Sequence, residues 1–242
     1  YFKMIKKSQN LFFFFLVFLF FSCDDPKKIT ITKVNGSPSY ENAKLSITDL
    51  AKDKNEYSFL FDSSNYELGI QTPNDFDYQL ANSDKGQHIH LIVNNDPYSA
   101  HYSENATKKI EEGDVILTFL SRSYHESVKN PNAFVLTEVG DKQETDLSKE
   151  FLFYSRPKGK YVGEDTKKLL LDFYLVNTNI SKDGNKVKAT INETEFIIDE
   201  WAPYYIEGLP KGEINIKLEL INSDGNMVET LFNPSIRTVI LE

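Results

Sequence analysis

The chain has 242 residues, 27 of them basic and 36 acidic, for a formal charge of −9. A surface of that sign repels nucleic-acid phosphates and anionic lipid headgroups, which excludes nucleic acid as a partner. One cysteine in the whole chain excludes a disulfide framework and any thiolate-based metal site, so folding must rest on core burial.

The first predicted element is an export signal. Lys3, Lys6 and Lys7 surround Met4, and an unbroken apolar run follows from Leu11 to Phe21. As a helix that run rises only about 16 Å, roughly half a bilayer core. It is too short to span but has the length of a signal-peptide core behind a basic n-region. Phe20-Phe21-Ser22-Cys23 resembles a bacterial lipobox, with Phe20 where Leu is commoner. The resemblance implies cleavage after Ser22 and lipid on the Cys23 sulfur, so the membrane becomes a partner. An ordinary secretory signal with a chance cysteine is the other reading. Removing residues 1–22 takes away three lysines and no acids, leaving 220 residues with a formal charge of −12. Residues 23–38 are expected to be a tether. Its Asp24-Asp25 resembles a Bacteroidota surface-export signal or serves as a solvated spacer.

Beyond the tether, short alternating runs rich in Ile, Val, Phe, Tyr and Thr replace helical periodicity. Ile29–Thr32, Leu45–Ile47, Tyr57–Phe61, Ile89–Val93 and Val115–Leu120 read as strands, as do Leu169–Val176, Lys186–Ile191, Ile214–Leu220 and Arg237–Leu241. Many short strands separated by turn residues predict an all-β chain of sandwiches.

The two halves match. Phe59-x-Phe61-x3-Asn65-x2-Leu68 parallels Leu171-x-Phe173-x3-Asn177-x2-Ile180, and Gly86 to Asn94 parallels Gly184 to Asn192. Gly113 and Gly212 then open a third matched run, 27 and 28 residues after Gly86 and Gly184. Three matches in one order at near-equal spacing predict two related immunoglobulin-like units. Each glycine suits a turn before a strand, where a positive φ costs least. The units are placed at 39–155 and 156–242, joined at the linker-like Ser155-Arg156-Pro157-Lys158-Gly159-Lys160. Asn65 to Gly86 spans 21 residues against 7 from Asn177 to Gly184, so the first unit carries an inserted loop at 69–85. Long loops on rigid sandwiches often carry binding function; a tolerated insertion is the alternative.

Three segments support a resemblance: Gly86-Gln-His-Ile-His-Leu-Ile-Val-Asn-Asn95, Phe119-Leu-Ser-Arg-Ser-Tyr-His-Glu-Ser-Val-Lys129 and Trp201-Ala-Pro-Tyr-Tyr-Ile-Glu-Gly-Leu209. They are similar to an uncharacterised family of Bacteroidota, flavobacterial-type, two-domain lipoproteins sometimes labelled phosphopeptide-binding. The resemblance implies an outer-membrane lipoprotein on the periplasmic or cell-surface face, and supplies no catalytic residues.

All four histidines fall in the first unit, at His88, His90, His101 and His125. His88 and His90 share one face of a predicted strand, opposite Ile89, Leu91 and Val93 on the core face. Lys186 and Lys188 at the matching positions of the second unit point to a solvent-facing pair. Neutral imidazoles on one strand can clamp Zn or Cu, with His101 or His125 closing the site. Surface or hydrogen-bonded histidines without a metal are the plainer reading. Ser121-Arg122-Ser123-Tyr124-His125 resembles the Ser-Arg-x-x-His neighbourhood of forkhead-associated domains, with one residue too many before the histidine. Arg122 could still grip a phosphate or carboxylate in a fork. A Ser–His nucleophile would need an orienting carboxylate and an oxyanion hole that the local sequence does not supply. Trp201, Pro203, Tyr204 and Tyr205 form an aromatic cluster, either a ligand platform through Trp201 and Tyr204 or packing between sheets. The expectation is a non-catalytic binding or scaffold module without a cofactor. Its partner would be an envelope protein or peptide; the alternative is a Zn- or Cu-binding lipoprotein.

Overall fold

A computed structural model describes residues 28–73, 79–141 and 143–242. The signal segment and Cys23 lie outside the described residues. Among the described residues regular structure is almost wholly strand, and no helix is long and apolar enough to cross a membrane.

In chain order the strands begin with β1 (Thr30–Lys33), β2 (Ser46–Asp53), β3 (Glu56–Asp62), β4 (His88–Val93) and β5 (Ser99–His101). Then come β6 (Asn105–Lys109), β7 (Val115–Ser121) and β8 (Phe134–Glu138). Seven of these build the first sandwich, with β2-β3-β6 facing β5-β4-β7-β8. Its core takes Phe59 and Phe61 from one sheet and Ile89, Leu91, Ile116 and Leu120 from the other.

The remaining strands are β9 (Phe151–Arg156), β10 (Lys160–Tyr161), β11 (Lys168–Val176), β12 (Lys186–Ile191), β13 (Thr194–Ile198), β14 (Tyr204–Glu207), β15 (Gly212–Ile221) and β16 (Ser235–Leu241). They form the second sandwich, β1-β14-β11-β9 facing β10-β16-β15-β12-β13. Tandem immunoglobulin-like sandwiches, as expected, are the architecture.

The repeat holds at the level of single bonds, but its third matched run slips by one residue: Val115 answers to Asn215 and Ile116 to Ile216, so Gly113 answers to Glu213 and not to Gly212 as the sequence reading had it. β4 pairs β7 and β12 pairs β15 in the same antiparallel register, His88 against Ser121 and Lys186 against Ile221. Asn94 and Asn192 close the two strands at φ 47° and 51°. Each side-chain oxygen accepts a backbone N–H from the next paired strand, Val115 at 2.9 Å and Asn215 at 3.0 Å. Asn65 and Asn177 also match, at φ 58° and 57°. The expectation of a positive φ at all four glycines fails at one position. Gly86, Gly113 and Gly212 have it, while Gly184 does not and instead donates its N–H to Ser181 Oγ at 3.0 Å. At Gly86 the requirement is also steric, because a Cβ there would lie 2.3 Å from Ile70 O.

Two placements differ from the sequence reading. Thr30–Lys33, inside the expected tether, pairs β14 of the second sandwich, with Ile29 and Ile31 packed on that sandwich's core. Their alternation makes one face of the segment apolar, and that face is partly buried. Phe151–Arg156, assigned to the first unit except for its last residue, pairs β11 and is the leading strand of the second. Leu152 and Tyr154 enter the second core while Phe151 and Phe153 face the other way, so the connection between units falls before β9.

That other way is toward the first sandwich. Val115, Leu117 and Phe119 of β7 meet Phe151, Phe153, Tyr174 and Val176 across a seam between the outer faces of two sheets. Phe119 stacks on Tyr174 at 4.6 Å between centroids, and Trp201 meets Tyr174 edge-on at 5.1 Å. Each aromatic buried there contributes about 1.5–3 kcal/mol. Strands buried on both faces read as near-continuous apolar runs, which is how Val115–Leu120 and Leu169–Val176 appear in the sequence, interrupted by Thr118 and Asp172.

Candidate functional site

The seam fixes the fate of the histidines. His88 and His90 do share a face of β4 opposite Ile89 and Leu91, but that face is not solvated: both rings have no exposure. The expectation of a solvent-facing pair is therefore corrected. The matching lysines misled because the equivalent face of β12 is not covered by another sandwich.

His88 Nδ1 lies 2.8 Å from the Gly86 carbonyl oxygen, which can only accept, so Nδ1 carries the proton. In the neutral ring Nε2 is then a bare lone pair. It lies 2.8 Å from His90 Nε2 and 3.1 Å from His125 Nδ1. One ring nitrogen from each of the three residues falls within 4.8 Å of the others. Burial lowers the His88 pKa to about 4, helped by the charges of Arg156 and Lys158 and opposed by the Gly86 bond. Burial also drives His90 and His125 well below the ordinary imidazole value, with the neighbouring histidines and Arg156 adding to it. Three neutral rings therefore converge at neutral pH.

His125 reaches the cluster from an unusual backbone. It sits in the turn after β7, where Arg122 N–H donates to Glu126 O at 2.9 Å and His125 N–H to Arg122 O at 2.9 Å. The second sandwich repeats that turn, with Asn222 N–H to Asn226 O at 2.8 Å and Gly225 N–H to Asn222 O at 3.0 Å. Gly225 has φ 82° and His125 has φ 69°. A histidine stands in left-handed backbone where the repeat uses glycine, at a cost of about 1–2 kcal/mol.

Tyr98 completes the enclosure. Its ring stacks on His90 with centroids 3.4 Å apart, and its hydroxyl lies 3.2 Å from His125 Nδ1. Burial pushes the phenol pKa up, keeping the proton available to donate. Lys158 Nζ stands 3.7 Å from the centre of the Tyr98 ring and donates to Tyr98 O at 2.7 Å. Ser155 Oγ of β9 lies 3.5 Å from His90 Nδ1, so the second sandwich forms part of the wall.

His101 is not part of the cluster. It pairs with Ile89 across β5 and β4, which directs it to the core side of the sheet, away from His88 and His90. There its Nε2 meets Ser99 Oγ at 2.9 Å.

Arg122 is spent on structure rather than offered to a phosphate. Only 3% exposed, it pairs with Glu126 at 3.0 Å and donates to Ser127 O at 2.9 Å and Pro38 O at 3.1 Å. The fork holds the segment before β2 against the turn. Ser121 Oγ donates to the carbonyls of Arg122 and Glu126, and Ser123 Oγ accepts from Thr72 N–H, so neither hydroxyl addresses His125. Trp201 Nε1 donates to Phe173 O at 3.0 Å and its ring packs in the seam, the packing alternative of the sequence reading. Tyr204 donates to Glu200 O at 2.9 Å beside the second core, with its phenol raised to about 12 by burial and the Glu200 and Asp199 charges.

Sequence reasoning missed Tyr98 as a member of the histidine site, and it missed Asp172. Asp172 is wholly buried, accepts from Ser127 N–H and Oγ at 3.1 Å each, and pairs with Lys129. Its signal was a lone acid inside Leu169-Leu-Leu-Asp-Phe-Tyr-Leu-Val176. The inserted loop contributes to the packing between the sandwiches, where Leu80 meets Val34, Tyr124, Leu170 and Tyr205.

No protein-family signature and no curated protein matches the chain. Among solved structures it is similar to the fibronectin(III)-like modules of Clostridium thermocellum CbhA. Identity there is 12%, with 38% of this chain and 97% of that one covered, and the TM-score is 0.30. It is also similar to the central fibronectin-III array of RIM-binding protein, at 10% identity, 86% and 71% coverage and TM-score 0.29. The two tandem V-type regions of VCBP3, a v-region-containing chitin binding protein, give 6% identity, 88% and 99% coverage and TM-score 0.25. Likeness this distant leaves the strand pairings themselves as the ground for the fold.

Proposed function

We propose that the chain is a non-catalytic binding module, held at the bacterial outer membrane by lipid on Cys23, whose two sandwiches act as one rigid body. The observation that carries the reading is the seam, which joins two outer sheet faces through apolar contacts and the buried Asp172. Domains on a flexible linker ordinarily expose those faces to water. A cleft of about 800 Å³ on the first sandwich, lined by Tyr40, Tyr66, Leu68, Ile70 and Tyr102, supplies a surface suited to a peptide or protein of the envelope. Aromatic walls with polar edges are typical of such surfaces. From Cys23 to Thr30 the chain can reach at most about 24 Å, so the second sandwich would lie near the membrane.

Fractionation of cells carrying Cys23→Ala tests the anchor: the variant is expected in the soluble fraction, and retention on membranes would refute it. Calorimetry of the delipidated chain tests the rigid body. One unfolding transition is expected, and two transitions separated by several degrees would refute it.

A further inference from the structure

We infer that His88, His90 and His125 form a three-nitrogen binding site for one transition-metal ion, zinc first among the candidates, buried at the seam between the sandwiches. This goes beyond the proposed binding role and does not depend on the membrane anchor or on any macromolecular partner.

Geometry carries the inference. Four-coordinate zinc with nitrogens at 2.0–2.1 Å sets them about 3.4 Å apart. The donor atoms here are separated by 2.8 Å, 3.1 Å and no more than 4.8 Å, so small ring rotations would accommodate an ion. His88 has the outer contact that ligating histidines almost always make: its Nδ1–H donates to a backbone carbonyl at 2.8 Å, which aims the Nε2 lone pair inward.

Proton accounting points the same way. The single Nε2 lone pair of His88 faces two other ring nitrogens and can accept a hydrogen bond from only one. The remaining close contact then sets a lone pair against a lone pair, or crowds a second N–H. A cation at the junction satisfies all three nitrogens together. The donor set contains neither thiolate nor carboxylate, and imidazole alone suits zinc, copper or nickel. Tyr98 occupies the remaining side, its hydroxyl 3.2 Å from His125 Nδ1, where it could hold a water on the ion.

The backbone supplies an independent argument. Both backbone bonds of the Arg122–Glu126 turn are matched in the second sandwich, yet the left-handed position is His125 in one and Gly225 in the other. Strain that glycine would avoid is retained where the side chain is needed. The second sandwich, with glycine there and Lys186 and Lys188 on its matching strand, should hold no ion.

The same comparison gives the variant that tests the site without endangering the fold. His125→Gly installs the residue that the repeat already uses, so relief of backbone strain offsets part of the cost of the lost Tyr98 and His88 contacts, and the metal-free variant should still unfold in a single transition. Chelator-stripped full-length protein would be titrated with zinc by calorimetry, and with Cu(II) for nitrogen hyperfine splitting by electron paramagnetic resonance. One zinc per chain and imidazole-nitrogen coupling are expected from the wild type. His125→Gly should weaken zinc binding by more than the roughly 10–100-fold typical of losing an outer-shell partner. His101→Ala should keep the wild-type affinity. No zinc binding by the stripped wild type would overturn the site, leaving a hydrogen-bonded cluster of neutral rings. Undiminished affinity in His125→Gly, or an equal loss in His101→Ala, would overturn it as well.

Discussion

Lys129 of the first sandwich and Asp172 of the second form an ion pair across the seam, and the carboxylate has no contact with water. Its oxygens also accept from the N–H and hydroxyl of Ser127. Such a group fixes how the two sheets dock, because sliding the seam would strand a buried charge. Removing the acid alone leaves the Ser127 N–H without a partner and the Lys129 ammonium with only the Ser127 hydroxyl, at 2.8 Å, and no paired countercharge. Asp172→Ala is expected to lower stability by about 3–5 kcal/mol, read as the urea midpoint of unfolding. A midpoint within about 0.5 kcal/mol of wild type would show that the pair does not lock the seam.

The repeat makes a prediction about parity. Asn94 and Asn192 hold the same left-handed backbone and accept the same kind of N–H, from Val115 and Asn215. Replacing either by Ala loses a hydrogen bond and adds backbone strain, for a cost of about 2 kcal/mol in each case. The two variants should agree within about 1 kcal/mol in denaturant unfolding. A large cost at one position and none at the other would break the equivalence.

At Gly86 the prediction is one-sided. Its φ is 85° and an added Cβ would meet the Ile70 carbonyl, which accepts the Gln87 N–H at 2.6 Å. Gly86→Ala must displace the start of the inserted loop, and a loss of at least about 2 kcal/mol is expected from strain and contact together. Thermal melting that matches wild type would mean that the loop shifts freely.

Acid stability of the metal-free protein follows from His88. Its folded pKa of about 4 lies below the unfolded value of 6.5, so the unfolded chain binds the extra proton between those limits. Stability is therefore full above pH 6.5 and falls as the pH drops toward 4, by about 3 kcal/mol for this ring alone. His90 and His125 are displaced in the same direction and steepen the loss. The check is the urea midpoint at several pH values between 6.5 and 4, compared with His88→Asn. The variant should show a shallower slope, and a wild-type midpoint flat across that range would contradict the burial of the rings.

Much of this organisation is legible in the residues. Alternation gave the strands of both cores, and Asn94 against Asn192 carried the register of the repeat down to a single accepted N–H. The seam was harder to see, because a strand buried on its second face by another sandwich looks like any apolar run. That one omission explains why His88 and His90 were expected in water and Phe151–Ser155 in the wrong sandwich. His125 was identified as a candidate, but nothing in Ser121-Arg-Ser-Tyr-His125 announces a left-handed residue. Only its alignment with Gly225 in the folded repeat does so.

The short strand β1 has a consequence for motion. It belongs to the second sandwich although it precedes the first in the chain, and β9 returns to the same sheet after the first is complete. The first sandwich is thus a loop of chain clasped at both ends, not a bead at the end of a string. Two crossings forbid the swivel that a single linker permits, so any relative movement must be a small hinge about the line through both crossings. A partner pulling on the first sandwich would load β1 and β9 together. Force would reach the second sandwich, and any anchor before it, without first stretching a linker.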